Sequence, residues 1–500
     1  MSRTMRIGFI GFCAILAVAF ALCAKERPCA EPNVDCLIDE ALAALPAATR
    51  LQGINQIAAQ LVLLGRAEAA RAVVAEDYSW QSDASRRSRF SLLWAVETWR
   101  VLQDGTPLEA QVTGSPPPDA LALVHLSGLL TFGPAYAGLR PAPPQLPEMD
   151  RRAARAALAV RMSEGAGPVS AQTRLEAAEI FAELGQADRA FALLEAVYAE
   201  GGEGTQISVM RISAEAMQAI GVARALEVID RAGKTSVFAL LNASRAAPTP
   251  EVRVSYLSRA FRMARDDGPW PDRDHLTRVV EAALDVGEAD LALRFARDFD
   301  IAAQARETFL PSDMHLAAAA ALHKTGAPAP EIRAALARAL ESFGNRRLSV
   351  DSAVPLATLL VKLGDVDTAL LRLKDTRDAN AWERVLAEPL PEKARDRVTD
   401  QAARELGTEA LRDVELRLAI RAPEPMRTAL QSKVLPWAGE TMETWRGRDA
   451  LRRLPHVATL AARAGEADLE SRAEVLFARV ALRRGAPRDL MQAAWRLSQD

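Results

Sequence analysis

The sequence has few of the residues on which most enzyme and metal sites depend. Only 5 histidines occur in 500 residues, and the 4 cysteines all lie within the first 36 positions. The motifs His-Glu-x-x-His and Gly-x-Ser-x-Gly are absent, and so is any Cys/His cluster, which removes the signatures of the common zinc and serine hydrolases. We therefore expect a non-enzymatic protein with no catalytic residue, no metal ligand and no cofactor.

Residues that favour sheets or nucleic-acid binding are scarce as well. Aromatic residues make up only 5% of the chain and runs of Val, Ile and Thr are few, whereas alanine is about a fifth of all residues. This composition favours helices over sheets. The formal charge is −3 and no basic stripe interleaved with aromatics occurs, so we expect no nucleic-acid partner and no attraction to an anionic membrane.

One long apolar run occurs, and it lies close to the first residue. Ile7 to Leu22 carry no charge and follow Arg3 and Arg6, which is the pattern of an export signal. We assign residues 1–24 to a signal peptide and expect a periplasmic or secreted protein. The alternative is an uncleaved N-terminal anchor, although 16 apolar residues fall just short of a usual membrane span.

Cys29 and Cys36 bracket the short polar loop CAEPNVDC. Two cysteines without a histidine nearby in sequence are too few for a metal site, and exported compartments are oxidising. We therefore expect these two cysteines to form a disulfide. Closing so short a loop stabilises the fold by about 2.5 kcal/mol in the chain-entropy description.

Residues Ala177 to Val197, AAEIFAELGQADRAFALLEAV, indicate a helix, a turn and a second helix. Ala177, Phe181 and Leu184 fall on one face of a helix with 3.6 residues per turn. Gly185 ends that helix, because glycine adopts the left-handed conformation common just after helix C-termini.

The same hairpin recurs along the chain when the turn glycines are aligned. Apolar residues stand eight and four positions before each glycine, and a small residue stands five positions after it in all copies but the last, which has Glu470. The glycine spacing fits helical hairpins of about 33–40 residues, the range of helical solenoids. The clear copies turn at Gly65, Gly185, Gly287, Gly364 and Gly465, and the weaker copies turn at Gly221 and Gly326.

A turn glycine followed five residues later by alanine resembles the second half of the tetratricopeptide repeat. The pairs that carry the resemblance are Gly65/Ala70, Gly185/Ala190, Gly287/Ala292 and Gly364/Ala369. The glycine of the family's first helix and its closing proline are absent, so the match is partial. The resemblance implies an all-α protein, an α/α solenoid of antiparallel helical hairpins with a concave protein-binding surface; the periodicity alone implies stacked helical hairpins.

Two proline clusters, GSPPP at 114–118 and PAPPQLP at 141–147, flank a short apolar helix and mark a boundary. They are interpreted as linkers, with a docking site for proline-binding proteins as the alternative. The predicted order is a signal peptide at 1–24, an N-terminal helical lobe with the disulfide at 25–112, a Pro-rich linker region with one short helix at 113–149, a helical-repeat array at 150–345, and a C-terminal helical-repeat array with its cap at 346–500.

Several polar groups invite a catalytic reading but have structural explanations. The loop Asp266 to His275, DDGPWPDRDH, is interpreted as a turn in which Asp272 or Asp274 caps the next helix. His315 and His323 stand eight residues apart on one predicted helix, too far to share a metal.

Other candidate residues also have structural explanations. Gly233-Lys234-Thr235 mimics the end of a phosphate-binding loop, but no strand is predicted before it. His125, Trp94 and Trp99 lie in apolar stretches and are expected in the core.

The main functional hypothesis is an exported helical-repeat scaffold that binds an unidentified protein partner in the bacterial cell envelope. The alternative is a glycan-binding or glycan-processing helical protein, which would need two carboxylates about 5–10 Å apart near Trp270, Trp437 or Trp445. A structural spacer or assembly subunit is a third hypothesis.

Overall fold

The computed structural model describes residues 29, 31–45, 54–76, 83–106, 108, 120–137, 145–164, 168–200, 212–233, 235–266, 272–304 and 311–499. The predicted signal peptide and Trp270 lie outside these residues. The described residues form 25 α-helices and no strand, so the prediction of an all-α fold is confirmed. None of the described helices is both long and apolar enough to cross a membrane.

The helices are consecutive along the chain and mostly joined by short turns. They are α1 Val34–Ala44, α2 Ile54–Leu63, α3 Ala67–Ala75, α4 Asp83–Gln103, α5 Ala120–Phe132, α6 Glu148–Ser163, α7 Pro168–Glu183, α8 Ala187–Glu200, α9 Ala214–Ile220, α10 Val222–Arg231, α11 Val237–Arg245, α12 Pro250–Asp266, α13 Arg273–Asp285, α14 Ala289–Gln304, α15 Pro311–Lys324, α16 Ala329–Phe343, α17 Val350–Lys362, α18 Val366–Thr376, α19 Ala379–Leu386, α20 Glu392–Leu406, α21 Thr408–Arg421, α22 Met426–Thr441, α23 Gly447–Ala464, α24 Ala467–Arg484 and α25 Pro487–Leu497.

The aligned glycines occupy the turns between paired helices, as predicted. Their φ angles are 77° at Gly65, 78° at Gly185, 83° at Gly287, 88° at Gly364 and 76° at Gly465. These values lie in the left-handed region, which other residues reach only at a cost because Cβ crowds the following carbonyl.

A recurring hydrogen bond closes each of these turns. The residue after the glycine donates its backbone N–H to the carbonyl of the apolar residue four positions before the glycine, as Gln186 does to Phe181 at 2.8 Å. This is the bond of a Schellman motif, and it gives a partner to a carbonyl that the end of the helix leaves without one. The same bond occurs at Arg66/Leu61, Glu288/Ala283, Ala327/Leu322, Asp365/Leu360 and Glu466/Ala461.

The predicted apolar face is buried in all five clear copies. The residues eight and four positions before the glycine are at most 3% exposed, and the alanine five positions after it is fully buried where it occurs. Alanine at this position lets the second helix approach the first closely. Glu470, which breaks the pattern in the last copy, is half-buried.

Contacts divide the chain into two compact units. The larger unit contains the described helices from α4 to α21. In it most helices pack on the next one, although α16 and α17 do not pair in this way, and alternate helices also touch, as α7, α9, α11, α13, α15, α17, α19 and α21 do in succession. One continuous hydrophobic core runs from Val237 to Leu418 in this unit. The packing is therefore that of neighbouring helical pairs in two layers.

The smaller unit joins the start of the described chain to its end. Helix α1 packs against α25 and α24, and α25 also packs against α2. The predicted ranges 25–112 and 346–500 follow chain order, whereas this unit combines helices from both. Helix α1 therefore covers one face of α25, the last described helix. Leu37 and Leu490, at most 1% exposed, belong to the buried residues of these two helices.

The predicted disulfide is present in the same unit. Cys29 and Cys36 are bonded, with their Cα atoms 6.2 Å apart. Cys36 lies in the first turn of α1, where Asn33 caps the helix by accepting a hydrogen bond from the Cys36 backbone N–H at 3.0 Å. The disulfide therefore ties the segment before α1 to the helix that packs against the last helix.

Arginine side chains connect helices that lie about one repeat apart in sequence. Arg297 and Glu331 form a two-bond ion pair at 3.0 and 3.1 Å, and Arg259 and Asp230 form another at 2.8 and 3.1 Å. The flat guanidinium suits such two-point contacts better than an ammonium group does. Pairs with similar spacing are Arg224/Asp188, Arg338/Asp300, Arg384/Asp351, Arg397/Asp367 and Arg417/Glu383.

A deeply buried ion pair lies in the smaller unit. Arg496 of α25 donates from Nε to both carboxylate oxygens of Glu474 of α24, at 2.7 and 2.8 Å. The Arg496 Nη2 atom also lies 3.4 Å from the Pro455 carbonyl oxygen of α23. The two side chains are only 9% and 7% exposed, so this one guanidinium joins three helices away from water.

We predict that Gly465→Ala destabilises the smaller unit by about 1–2 kcal/mol, because alanine must adopt a left-handed φ there. Gly439 is the matched control, since its φ is helical and an added Cβ would meet Leu469 at an ordinary 3.7 Å. Gly439→Ala should be neutral or stabilising. The urea midpoint of each variant tests this prediction. Equal effects of the two substitutions on the midpoint would contradict it.

Arg496→Met should cost about 3–5 kcal/mol, because it leaves the Glu474 carboxylate buried without its partner. Adding Glu474→Met to that variant should recover most of the loss. The control is Arg472→Met, which removes an exposed pair with Glu443 and should change the free energy of unfolding by less than about 1 kcal/mol. A double-mutant cycle with no coupling between Arg496 and Glu474 would refute this account.

Candidate binding surface

The polar loop before α13 is a helix cap. Asp272 accepts a hydrogen bond from the His275 backbone N–H at 3.0 Å, which confirms the capping interpretation for one of its two candidates. The other carboxylate oxygen of Asp272 lies 2.9 Å from His275 Nδ1. The His275 ring packs edge-on against Phe238, with ring centroids 5.2 Å apart. These contacts give both polar side chains a structural role, so a catalytic role is not needed to explain them.

The two histidines of α15 are packing residues. His315 is buried, and its pKa is lowered by that burial and by the charge of Arg338, while Asp300 opposes the shift. Burial and the charge of Lys362 lower the pKa of His323. Among the described residues, no group of three His, Cys, Asp or Glu side chains is placed to hold a metal ion.

The remaining sequence candidates also have structural surroundings. Gly233 and Thr235 lie in the turn between α10 and α11, so a helix precedes the sequence that mimics a phosphate loop. Trp99 is 1% exposed and fills the core, as expected.

The tryptophans proposed for the glycan alternative pack against each other. The rings of Trp437 and Trp445 lie 5.2 Å apart, and the Arg453 guanidinium lies 5.2 Å from the centroid of Trp445. Trp445 is 6% exposed. A sugar platform needs an open aromatic face, and Trp445 does not offer one.

A different surface forms where α5 meets α6 and α7. Helix α5, ALALVHLSGLLTF, is apolar on nearly every side, and it is packed by α4, α6 and α7. It ends at Phe132, because Gly133 takes a φ of 67° and Pro134 follows. The Phe132 side chain lies beyond the packed part of the helix and is 65% exposed.

The short 3-10 segment Gly133–Ala137 folds back along α5. A Cβ atom on Gly128 would lie 2.4 Å from the Tyr136 ring, so the ring rests directly on the backbone of α5. The Tyr136 hydroxyl is 3.1 Å from His125 Nδ1. His125 is thus hydrogen-bonded but only half-buried, whereas the sequence predicted a position in the core.

A polar seam runs beneath this segment between α5 and α7. Burial raises the pKa of Glu176. A hydrogen bond from Ser127 and the charge of Arg155 lower this pKa, but by less than burial raises it. Burial and the charge of Glu176 together raise the pKa of Tyr136. Next along α7, Glu179 accepts the Ser213 backbone N–H at 2.5 Å, and burial raises its pKa too. Partial burial therefore favours the neutral form of both carboxyl groups.

Above the seam lies a cleft of about 250 Å³. Its apolar lining includes Leu130 and Leu184, and its polar lining comes from the first turns of α6 and the end of α7. The lining residues are Leu130, Thr131, Glu148, Arg151, Arg152, Arg155, Glu183 and Leu184.

The charges around the cleft are unequally matched. Arg151 pairs with Glu148, and Arg155 lies 2.5 Å from Glu183. Arg152 is exposed and makes no ion pair or hydrogen bond with any residue that the structure describes. The cleft therefore presents one positive charge that is not neutralised by its own walls.

Sequence reasoning identified the apolar helix and His125 but not this surface. A proline cluster separates Phe132 from Met149 and Arg152, and no periodic pattern relates Phe132 to the other two. One sequence feature could have revealed the surface. On α6, Met149 lies three positions before Arg152, so the two residues share one exposed helical face.

We predict that Glu176→Gln stabilises the protein relative to the wild type increasingly as the pH rises from about 4 to 8. The folded-state pKa of Glu176 is raised, so its contribution to stability is full at low pH and is lost as the pH rises through that pKa. Glutamine has no charge to lose. Ser127→Ala should steepen the wild-type pH dependence, because it removes a hydrogen bond that lowers the pKa. Urea midpoints measured across this range test both, and a pH-independent difference for Glu176→Gln would contradict the assignment.

Comparison with known proteins gives no family. No protein-family model matches the chain. No curated protein matches it. Among solved structures, the chain is similar to a "Circular tandem repeat protein with novel repeat topology and enhanced subunit contact surfaces", at 16% identity over 93% of this chain and 95% of that chain, with a TM-score of 0.13. So low a TM-score does not indicate a shared overall arrangement of the backbone.

Proposed function

We propose that this protein is a non-enzymatic, tetratricopeptide-like helical-repeat scaffold that binds another protein. The support is the way its chemically capable groups are used. Asp272 caps a helix, His315 is packed in a core, and carboxylates such as Glu331 pair with arginines of neighbouring hairpins. These groups hold helices together rather than converge on a reacting atom.

The observation that carries the proposal is the apolar edge of the cleft between α5, α6 and α7. Phe132 is 65% exposed and Met149 is 84% exposed, and each directly follows a residue that lines the cleft. Isolated exposed apolar residues are common, but two large ones beside a cleft are typical of an anchor site for a partner.

We further propose that the protein acts in the bacterial cell envelope, in the periplasm or after secretion. Two features support this location. The apolar run Ile7 to Leu22 after Arg3 and Arg6 is typical of an export signal, and Cys29 and Cys36 form a disulfide, which is stable in oxidising compartments.

The test is affinity capture of the full-length protein from the envelope fraction of its own cells. We expect a protein to co-purify in a fixed ratio, and the captured chain to begin after residue 24. Copurification of muropeptides or oligosaccharides without a protein would replace the scaffold with the glycan alternative. A soluble chain found in the cytoplasm with its first residues intact would contradict the location.

A further inference from the structure

We propose that the cleft between α5, α6 and α7 binds a short acidic and apolar segment of the partner protein. This inference rests on the proposed scaffold function and names the surface and the chemistry that it recognises. An apolar side chain of the segment enters between Phe132 and Met149, and a carboxylate of the segment pairs with Arg152.

The apolar part of the surface consists of two leucines in the cleft and two exposed side chains next to its lining residues in sequence. Leu130 and Leu184 contribute to the lining of the cleft. Phe132 directly follows the lining residue Thr131, and Met149 directly follows the lining residue Glu148. A volume of about 250 Å³ accommodates one large side chain and part of a second, but not a helix.

The charges of the cleft favour a carboxylate on the bound segment. The arginines Arg151 and Arg155 are balanced by carboxylates of the protein itself, while Arg152 has no counter-charge among the described residues. Arg152 is exposed on the same face of α6 as Met149. A guanidinium in this position can form a two-point contact with Asp or Glu. A basic segment would meet Arg152 with like charge.

Local contacts set the shape of the surface before a partner arrives. Gln145 accepts a hydrogen bond from Arg151 at 2.8 Å, and a Cβ on Gly133 would lie 2.9 Å from the Gln145 side chain. The start of α6 is thus held against the end of α5. A surface already in its binding geometry loses less conformational entropy when a partner binds.

A protein segment fits these features better than a lipid bilayer does. The cleft is concave, whereas a bilayer presents a broad face. The whole chain carries a formal charge of −3, which gives it no general attraction to an anionic membrane. A bilayer and a second copy of this chain are therefore tested as rival occupants.

The experiment selects binders from a phage-displayed library of short random peptides on the immobilised full-length protein. We expect enriched peptides that combine Asp or Glu with Leu, Ile, Phe or Met. Phe132→Ala and Arg152→Glu should each weaken the binding of these peptides at least about tenfold, measured by fluorescence anisotropy. Binding should also weaken as salt is added, because the Arg152 contact is exposed.

Matched controls separate this surface from general stickiness. Ile301→Ala removes another exposed apolar side chain, which is 63% exposed, and Arg161→Glu reverses another exposed charge on α6. Both should leave peptide binding within about twofold of the wild type. Because Phe132 and Arg152 are exposed, unchanged urea midpoints should show that their variants remain folded.

Four outcomes would overturn the inference. Two concern the peptides: the enriched peptides are basic, or they bind the variants as well as the wild type. The other two concern rival occupants: vesicles of anionic phospholipid bind in a Phe132-dependent way, or the protein self-associates in sedimentation in a Phe132-dependent way. If affinity capture from the envelope still recovers a protein partner with the Phe132 and Arg152 variants, the scaffold function stands and only this surface is wrong. If no partner is recovered even with the wild type, the proposed function fails independently.

Discussion

The structure depends on a repeated constraint at the turn between paired helices. A glycine in the left-handed region lets the chain reverse, and the next backbone N–H bonds to a carbonyl near the end of the first helix. This bond satisfies a helix end that would otherwise lack a partner, and it fixes how the second helix leaves. The buried alanine five residues later then allows close approach of the two helices. Composition, turn geometry and packing therefore agree at each copy.

A pair made in this way cannot bury both of its apolar faces alone, so each pair depends on its neighbours. In the larger unit the alternate helices touch in succession, and arginines join residues about one repeat apart. In the smaller unit the same need is met by bringing α1 against α25. The ends of a solenoid usually expose an apolar face that must be capped. Here the first described helix and the last one cover each other, and Arg496 fastens α25 to the helix pair before it.

The sequence predicts the local elements well and the long-range ones poorly, for a physical reason. Periodicity and glycine placement report on interactions within about twenty residues, so the turns at Gly185 and Gly364, their apolar faces and the Asp272 cap could all be predicted. The contact of α1 with α25 leaves no periodic trace, because each helix simply shows one apolar face. The arginine pairs follow the repeat spacing but are hidden in a sequence that carries 62 Lys and Arg residues. The binding surface is harder still to predict, since Phe132 and Arg152 belong to different helices and no periodic pattern in the sequence relates them.

The most direct test of this account is native-state hydrogen exchange of the full-length protein at increasing urea, followed by mass spectrometry of peptides from α1 and α25. Because these two helices complete one packed pair, their backbone amides should become exposed in the same opening step, with the same free energy and the same dependence on urea. The Leu37→Ala variant of α1 should lower that free energy for α25 as well. In this account, neighbouring helices, including the first and last described helices, hold each other in place. Free exchange of α1 while α25 stays protected would contradict this claim. A Leu37→Ala effect confined to α1 would contradict it as well.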